Sequence, residues 1–109
     1  MEIKKTIKQS EIIKLSVEQD GKEVGRASLC IIVNDLHKEP YGLLEDVFVD
    51  ESMRGQGVGT ELVQAVIDEA KEHGCYKLLA CSRHEKPKVH ELYQRLGFKD
   101  HGIEFRMEF

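Results

Sequence analysis

Arg54-Gly55-Gln56-Gly57-Val58-Gly59-Thr60 is the stretch that decides how this chain is read. It follows an extended apolar segment, Leu43 to Val49, and opens an amphipathic one, Thr60 to His73. A strand therefore leads into a glycine-rich turn, and the turn leads into the N-terminus of a helix. Such a junction is an anion site, because the first amides of a helix lack partners and the positive end of the helix dipole faces outward. The glycines leave no side chain between that backbone and a phosphate.

Spacing narrows the choice of phosphate. A Walker-type loop ends in Lys followed by Ser or Thr, whereas Gly59 is followed directly by Thr60. A dinucleotide fingerprint reads G-x-G-x-x-G, whereas this loop reads G-x-G-x-G. The pattern it does fill is R-x-x-G-x-G, with Arg54, Gly57 and Gly59.

Downstream of the loop, Val58, Leu62, Val66 and Ala70 recur at a spacing of four and are flanked by Val63 and Ile67, which predicts a helix with one apolar side. Gly74 sits where a helix ends in a left-handed cap. Tyr76 to Cys81 reads as a short apolar strand, and Pro87 suits the first turn of a second helix. Val89, Leu92, Tyr93 and Leu96 line one side of that helix, and Gly97 ends it. Ile103, Phe105, Met107 and Phe109 alternate with charged residues as a last strand.

Upstream, Ile13, Leu15 and Val17 alternate as in a half-buried strand, and Asp20-Gly21 supplies a tight hairpin turn. The return strand carries Ala27, Leu29, Ile31 and Val33 on one face, and a polar loop follows from Asn34 to Pro40. Tyr41 to Val49 is the third strand, with Leu43, Glu45, Val47 and Val49 on one face and Leu44, Asp46 and Phe48 on the other. Met1 to Ser10 is lysine-rich and only loosely patterned. The order is β-β-β-α-β-α-β, an α/β fold with a mixed central sheet.

At 109 residues and 40% hydrophobic content, the chain is expected to form a single domain over residues 1–109. A net charge of −4 without a basic, aromatic-interleaved cluster argues against nucleic acid as a partner. Three scattered cysteines, Cys30, Cys75 and Cys81, have neither zinc nor disulfide-framework spacing, and Cys30 and Cys81 are expected to be buried, inert thiols. Reduced thiols and no leader pattern point to the cytoplasm, and no apolar stretch approaches the roughly 20 residues that span a bilayer. The histidines share no spacing of metal-ligand type, so no metal is expected.

The strand, the R-x-x-G-x-G loop, the long helix and the ending Tyr93-Gln94-Arg95-Leu96-Gly97-Phe98 together resemble the GNAT N-acetyltransferases. Gly57 and Phe98 are 41 residues apart, room for one helix, one strand and another helix. The resemblance covers Tyr41 to Phe109 and extends to the preceding hairpin. Leu44-Glu45-Asp46-Val47-Phe48-Val49 with the Arg54 loop is similar to polyamine (spermidine/spermine) acetyltransferases. Gly74-Cys75-Tyr76-Lys77 with the Glu45-Asp46 pair is also similar to glucosamine-6-phosphate N-acetyltransferases. About twenty residues precede the hairpin turn, so the two N-terminal helices that wall the acceptor site in the family are expected to be missing or replaced, which implies a more open acceptor side or one completed by a second subunit. The chain also departs from the family at Lys86, where many relatives carry an Asn bonded to the pantetheine arm; a lysine cannot accept that bond.

The resemblance implies acetyl-CoA as cosubstrate and a primary amine as acceptor. The amides from Gly55, Gln56, Gly57, Val58, Gly59 and Thr60 would hold the pyrophosphate, with Arg54 adding charge. Val47, Phe48 and Val49 would pair through their backbone with the pantetheine arm, and an amide near Val47 or Phe48 would polarise the acetyl carbonyl. A primary ammonium with a pKa of about 10 needs a base, and Glu45 is the first candidate. Asp46 is the other, facing away in a regular strand and exchanging places with Glu45 if the strand is bulged; its ordinary alternative is a solvated carboxylate. Tyr93 is the candidate acid for the leaving thiolate, its ordinary alternative being a core tyrosine on the helix face. Lys86 and Lys88 would meet the CoA phosphate or remain solvated. The apolar C-terminal strand, if shared across a two-fold axis, gives a homodimer. A non-catalytic acyl-CoA-binding module has the same loop and remains the rival reading.

Overall fold

A computed structural model describes residues 1–109, which fall into two compact units, Met1–Leu79 and Ala80–Phe109. In the first unit, β1 (Ile12–Gln19) and β2 (Lys22–Ile32) form an antiparallel hairpin. Asp20 and Gly21 close it with φ of 54° and 77°, the paired positive φ of a type I′ turn, whose twist matches that of the strands it joins. β3 (Tyr41–Val49) pairs antiparallel with β2, and β4 (Leu78–Ala80) lies beside β3 after a helical crossover, so the sheet order is β1-β2-β3-β4.

The crossover helix α1 (Val58–Glu72) buries Leu62, Val63, Val66 and Ala70 against the sheet face that carries Ala27, Leu29, Ile31 and Leu44. These spacings are those the helix and strand periods require of a shared core. Leu29, Val63 and Val66 are fully buried, each contributing about 1.5–3 kcal/mol of apolar transfer free energy. Val33 lies beyond the end of β2 and is exposed rather than continuing that face. Gly74, at φ 73°, ends α1 in a Schellman cap, with Cys75 N–H donating to the Ala70 carbonyl at 3.0 Å and Gly74 N–H to Lys71 at 3.1 Å. Before β1, Met1–Ser10 has no regular structure, and Lys8 pairs with Asp35 at 2.8 Å.

In the second unit, α2 (Pro87–Arg95) has Pro87 in its first turn and a second Schellman cap around Gly97, φ 105°. Phe98 N–H donates to the Tyr93 carbonyl at 2.9 Å. The strand expected at Ile103–Phe109 does not form: Lys99–Phe109 has no regular structure, and Ile103, Phe105, Met107 and Phe109 are all exposed. Alternation selects a face for a segment but supplies no ladder partner, and a strand without one leaves its backbone groups to water. Arg106 instead pairs with its neighbours Glu104 and Glu108, at 3.1 and 3.5 Å. Cys81 lies outside β4 and is exposed, while Cys30 and Cys75 are half-buried. No helix is long and apolar enough to cross a membrane.

Candidate active site

The C-terminal half of β3 is not a regular strand. Ser28 stands opposite Glu45 and Arg26 opposite Phe48, so Ala27 faces both Asp46 and Val47. This is a bulge, and Asp46 carries it in the left-handed region at φ 55°. The inserted residue exchanges the faces of everything after it. Val49 pairs with Gly25 on the face covered by α1, and Phe48 lies opposite Arg26 on the other face, the reverse of regular alternation from Leu43.

Both acidic residues therefore serve the face of the sheet opposite α1. Glu45 is exposed and shares that face with Ser28 and the half-buried Cys30, whose thiol is pushed up by burial and, secondarily, by the Glu45 charge. Asp46 folds back onto Arg26, accepting from its Nε at 2.7 Å and its Nη2 at 3.2 Å. The bonded guanidinium holds the Asp46 carboxyl below the usual carboxylate range. A carboxylate so held is a poorer proton acceptor than one left to solvent, which separates the two candidates for the base.

β4 has three residues against nine in β3, and Gly42 N–H donates to the Lys77 carbonyl at 2.9 Å, which sets β4 against the start of β3. No strand pairs with the outer edge of β3 beyond the reach of β4, the stretch that includes Val47, Phe48 and Val49. An open edge of this kind accepts an extended ligand by backbone pairing.

After Val49 the chain turns through a short 3-10 helix, Glu51–Met53, that sequence periodicity does not reveal. Asp50 caps it, accepting from Ser52 N–H at 3.2 Å and from the Ser52 hydroxyl, and its carboxyl is lowered chiefly by that hydroxyl. The signal was present as Asp50-Glu51-Ser52, an acid placed before a short helical turn. Arg54 Nε reaches the Val49 carbonyl at 3.4 Å, and Gln56 Nε2 the Ser52 carbonyl at 3.4 Å, tying the loop to the strand end.

Gly55 and Gly57 both have φ of 81°, with open space where a Cβ would stand. Backbone conformation alone accounts for glycine at these two positions. Gly59 differs: it is inside α1 with ordinary helical geometry, and a Cβ there would meet only Val49 Cγ2 at 3.5 Å. Neither conformation nor packing calls for glycine at Gly59, where it lowers helix stability by about 1 kcal/mol against Ala. What glycine leaves there is bare backbone in the first helical turn. The first bond of α1 runs from Glu61 N–H to the Gly57 carbonyl at 3.0 Å, so the amides of Gly57, Val58 and Gly59 precede the helical ladder.

In the second unit, Tyr93 lies on α2 with its ring 5.3 Å from that of Phe98, the Schellman cap bringing the two together. Lys86 is the N-cap residue of α2, with its carbonyl accepting from Val89 and His90 N–H groups. His90 Nε2 sits 2.8 Å from the Arg83 carbonyl and fastens the segment before the helix.

The profile described as the "Acetyltransferase (GNAT) family" matches residues 3–98. The chain is 35% identical over 89 residues to the glucosamine 6-phosphate N-acetyltransferase of Trypanosoma brucei brucei, which covers 81% of this chain and 58% of that protein. A putative acetyltransferase from Agrobacterium tumefaciens superposes with a TM-score of 0.85 at 29% identity, over 93% of this chain and 71% of that one. An aminoglycoside N-acetyltransferase solved in complex with CoA superposes with a TM-score of 0.71 at 27% identity, over 90% of this chain and 77% of that one. The chain spans between 38% and 64% of the length of the first curated relatives it matches. A strand, a glycine loop and a helix N-terminus in this order, inside a sheet that superposes on such enzymes, leave one assignment: the chain belongs to the GNAT acetyltransferase family.

Proposed function

We propose that this chain is an acetyl-CoA-dependent N-acetyltransferase that moves an acetyl group onto a primary amine by direct attack in a ternary complex. The observation that carries the reading is Gly59, bare backbone in the first turn of α1 where neither conformation nor packing asks for glycine. The amides of Gly55 to Thr60 bind the CoA pyrophosphate, and Arg54 adds positive charge at the start of the loop. The open edge of Val47, Phe48 and Val49 pairs with the pantetheine arm, and a bulge amide polarises the acetyl carbonyl. Lys86 serves as a charge partner for a CoA phosphate.

Glu45 removes one proton from the acceptor ammonium. The amine nitrogen then bonds to the thioester carbon, and the oxyanion collapses as the C–S bond breaks. Tyr93 gives its phenolic proton to the departing thiolate and is restored by the second proton that the nitrogen loses as the amide forms, while the proton on Glu45 passes to solvent. Asp46, already committed to Arg26, is the less suited of the two carboxylates to act as base. The relatives named above for amino-sugar and aminoglycoside substrates support a small-molecule amine as acceptor. Residues 1–109 act as one acetyltransferase domain, since the family match runs through both units. Reduced thiols fit a cytoplasmic location. The exposed apolar row Ile103, Phe105, Met107 and Phe109 supports a homodimer built by strand addition.

Calorimetric titration with acetyl-CoA, with ATP and NAD as controls, tests the cofactor; a screen of amine acceptors tests the reaction. Micromolar binding of acetyl-CoA alone, with turnover on an amine, is the expected result. Binding with no turnover on any amine would leave the non-catalytic module, and no binding would remove the cofactor reading.

A further inference from the structure

Asp20 and Asp46 are the non-glycine residues with positive φ. Asp20 shares a tight hairpin turn with Gly21, where positive φ is obligatory. Asp46 is inside a strand, at a bulge, where an L residue reaches the left-handed region at a cost that a side-chain bond can offset. The group in place to do so is Arg26. Its guanidinium grips both oxygens of Asp46, Nε to Oδ2 at 2.7 Å and Nη2 to Oδ1 at 3.2 Å. The same guanidinium carbon lies 4.7 Å from the centroid of the Phe48 ring. Arg26 therefore touches the residue on each side of Val47, and its own backbone is the last register position before the bulge. Glu23 accepts from Arg26 Nη1 at 3.3 Å, and Lys14 pairs with Glu23, so the guanidinium is itself held from behind.

We propose that Arg26 is a positioning residue for acetyl transfer: by clamping Asp46 and Phe48 it fixes the β3 bulge and so aims the Val47 backbone at the open strand edge. The clamp is not a ligand site, because Lys14, Glu23, Arg26 and Asp46 alternate in sign and satisfy one another. Its action runs through the backbone alone. Loss of Arg26 frees Asp46 to leave the left-handed region, and the Val47 backbone loses its direction. A glycine at position 46 occupies the left-handed region without a clamp.

This inference rests on the cofactor reading given above, and its test separates the two. The proteins compared are wild type, Arg26→Ala, Arg26→Lys and the double variant Arg26→Ala with Asp46→Gly. The readouts are CoA affinity by calorimetry and, in the ligand-free protein, amide hydrogen exchange at Phe48 and Asp50, the ladder amides beyond the bulge that face Arg26 and Val24. Arg26→Ala is expected to weaken CoA binding about tenfold and to speed exchange at both amides, with Arg26→Lys between it and wild type. The double variant is expected to recover most of the affinity and the slow exchange. Unchanged affinity and exchange in Arg26→Ala would overturn the proposal. A double variant as weak as the single one would also overturn it, since Arg26 would then act by some route other than the bulge. Failure of the wild type to bind CoA would remove the cofactor reading, and the exchange comparison would still decide whether Arg26 holds the bulge.

Discussion

Two glycines two residues apart in the same loop answer to different demands, and one substitution made at each separates those demands. At Gly57, φ is 81° and the space beyond Cα is open, so Gly57→Glu meets no clash but forces an L residue into the left-handed region, at a cost of about 1–2 kcal/mol. At Gly59 the backbone is already helical and a Cβ would make ordinary contact with Val49 at 3.5 Å. Gly59→Glu therefore gains about 0.5 kcal/mol of helix propensity and about 0.3–1 kcal/mol from a carboxylate near the helix N-terminus, or about 1 kcal/mol together. The stabilities of the two variants move in opposite directions by similar amounts. Their affinities for CoA fall together, because each places a carboxylate where a pyrophosphate would sit. One such charge pair about 4 Å apart costs about 1 kcal/mol in water and about 4 kcal/mol at the effective dielectric of a protein surface. That corresponds to a loss of at least about fivefold, rising toward a thousandfold. Urea unfolding of the ligand-free proteins gives the first quantity, and acetyl-CoA titration gives the second. A Gly59→Glu protein that binds acetyl-CoA within about twofold of wild type would refute the anion reading of the loop. Stabilities that shift in the same direction would refute the separation of conformational from functional glycine.

Further outcomes follow from particular contacts. At Gly42 a Cβ would come within 2.7 Å of Leu29 Cδ1 and 2.9 Å of Leu78 Cδ1, so Gly42→Ala is expected to destabilise by about 1–3 kcal/mol, read as a lowered thermal midpoint. Tyr93→Phe is expected to keep acetyl-CoA binding and to lower kcat by about a hundredfold or more; equal turnover would take Tyr93 out of the mechanism. Arg26 lowers the folded-state pKa of Asp46, so the stability this pair contributes is present above the ordinary Asp value of about 3.9 and is lost as pH falls through the lower folded value. Asp46→Asn should therefore flatten the acid arm of a stability profile taken between about pH 2 and pH 5, and parallel profiles for variant and wild type would refute the pairing in solution.

Local chemistry was well written in the sequence. The bounds of β3 at Tyr41 and Val49, the I′ turn at Asp20-Gly21 and both glycine-ended helices depend on residues within a few positions of one another. The buried face of α1 likewise follows from the period of Leu62, Val66 and Ala70. Regular alternation puts Phe48 and Val49 on faces that the bulge inverts. The adjacent pair Leu43-Leu44, followed by the adjacent acids Glu45-Asp46, already disturbed that alternation, and Asp is disfavoured inside strands. Arg26 carried no signal of its role, because its partner is 20 residues away and they meet only through the β2–β3 register. The C-terminal strand failed for the complementary reason: its pattern was complete, but pairing needs a second backbone that no pattern within Ile103–Phe109 can supply.

The sheet order β1-β2-β3-β4 is also the order of synthesis. Each strand leaving the ribosome finds its neighbour already made, first across the two-residue turn at Asp20-Gly21 and then across the loop from Asn34 to Pro40. No strand has to be inserted between two earlier ones, so the closure entropy of each pairing is small and non-local search is deferred to the α1 crossover. Until α1 emerges, however, Ala27, Leu29 and Ile31 have no cover, and the nascent meander is a sheet with one bare apolar face. The interval between emergence of β3 and emergence of α1 is thus when that apolar face is open to other chains.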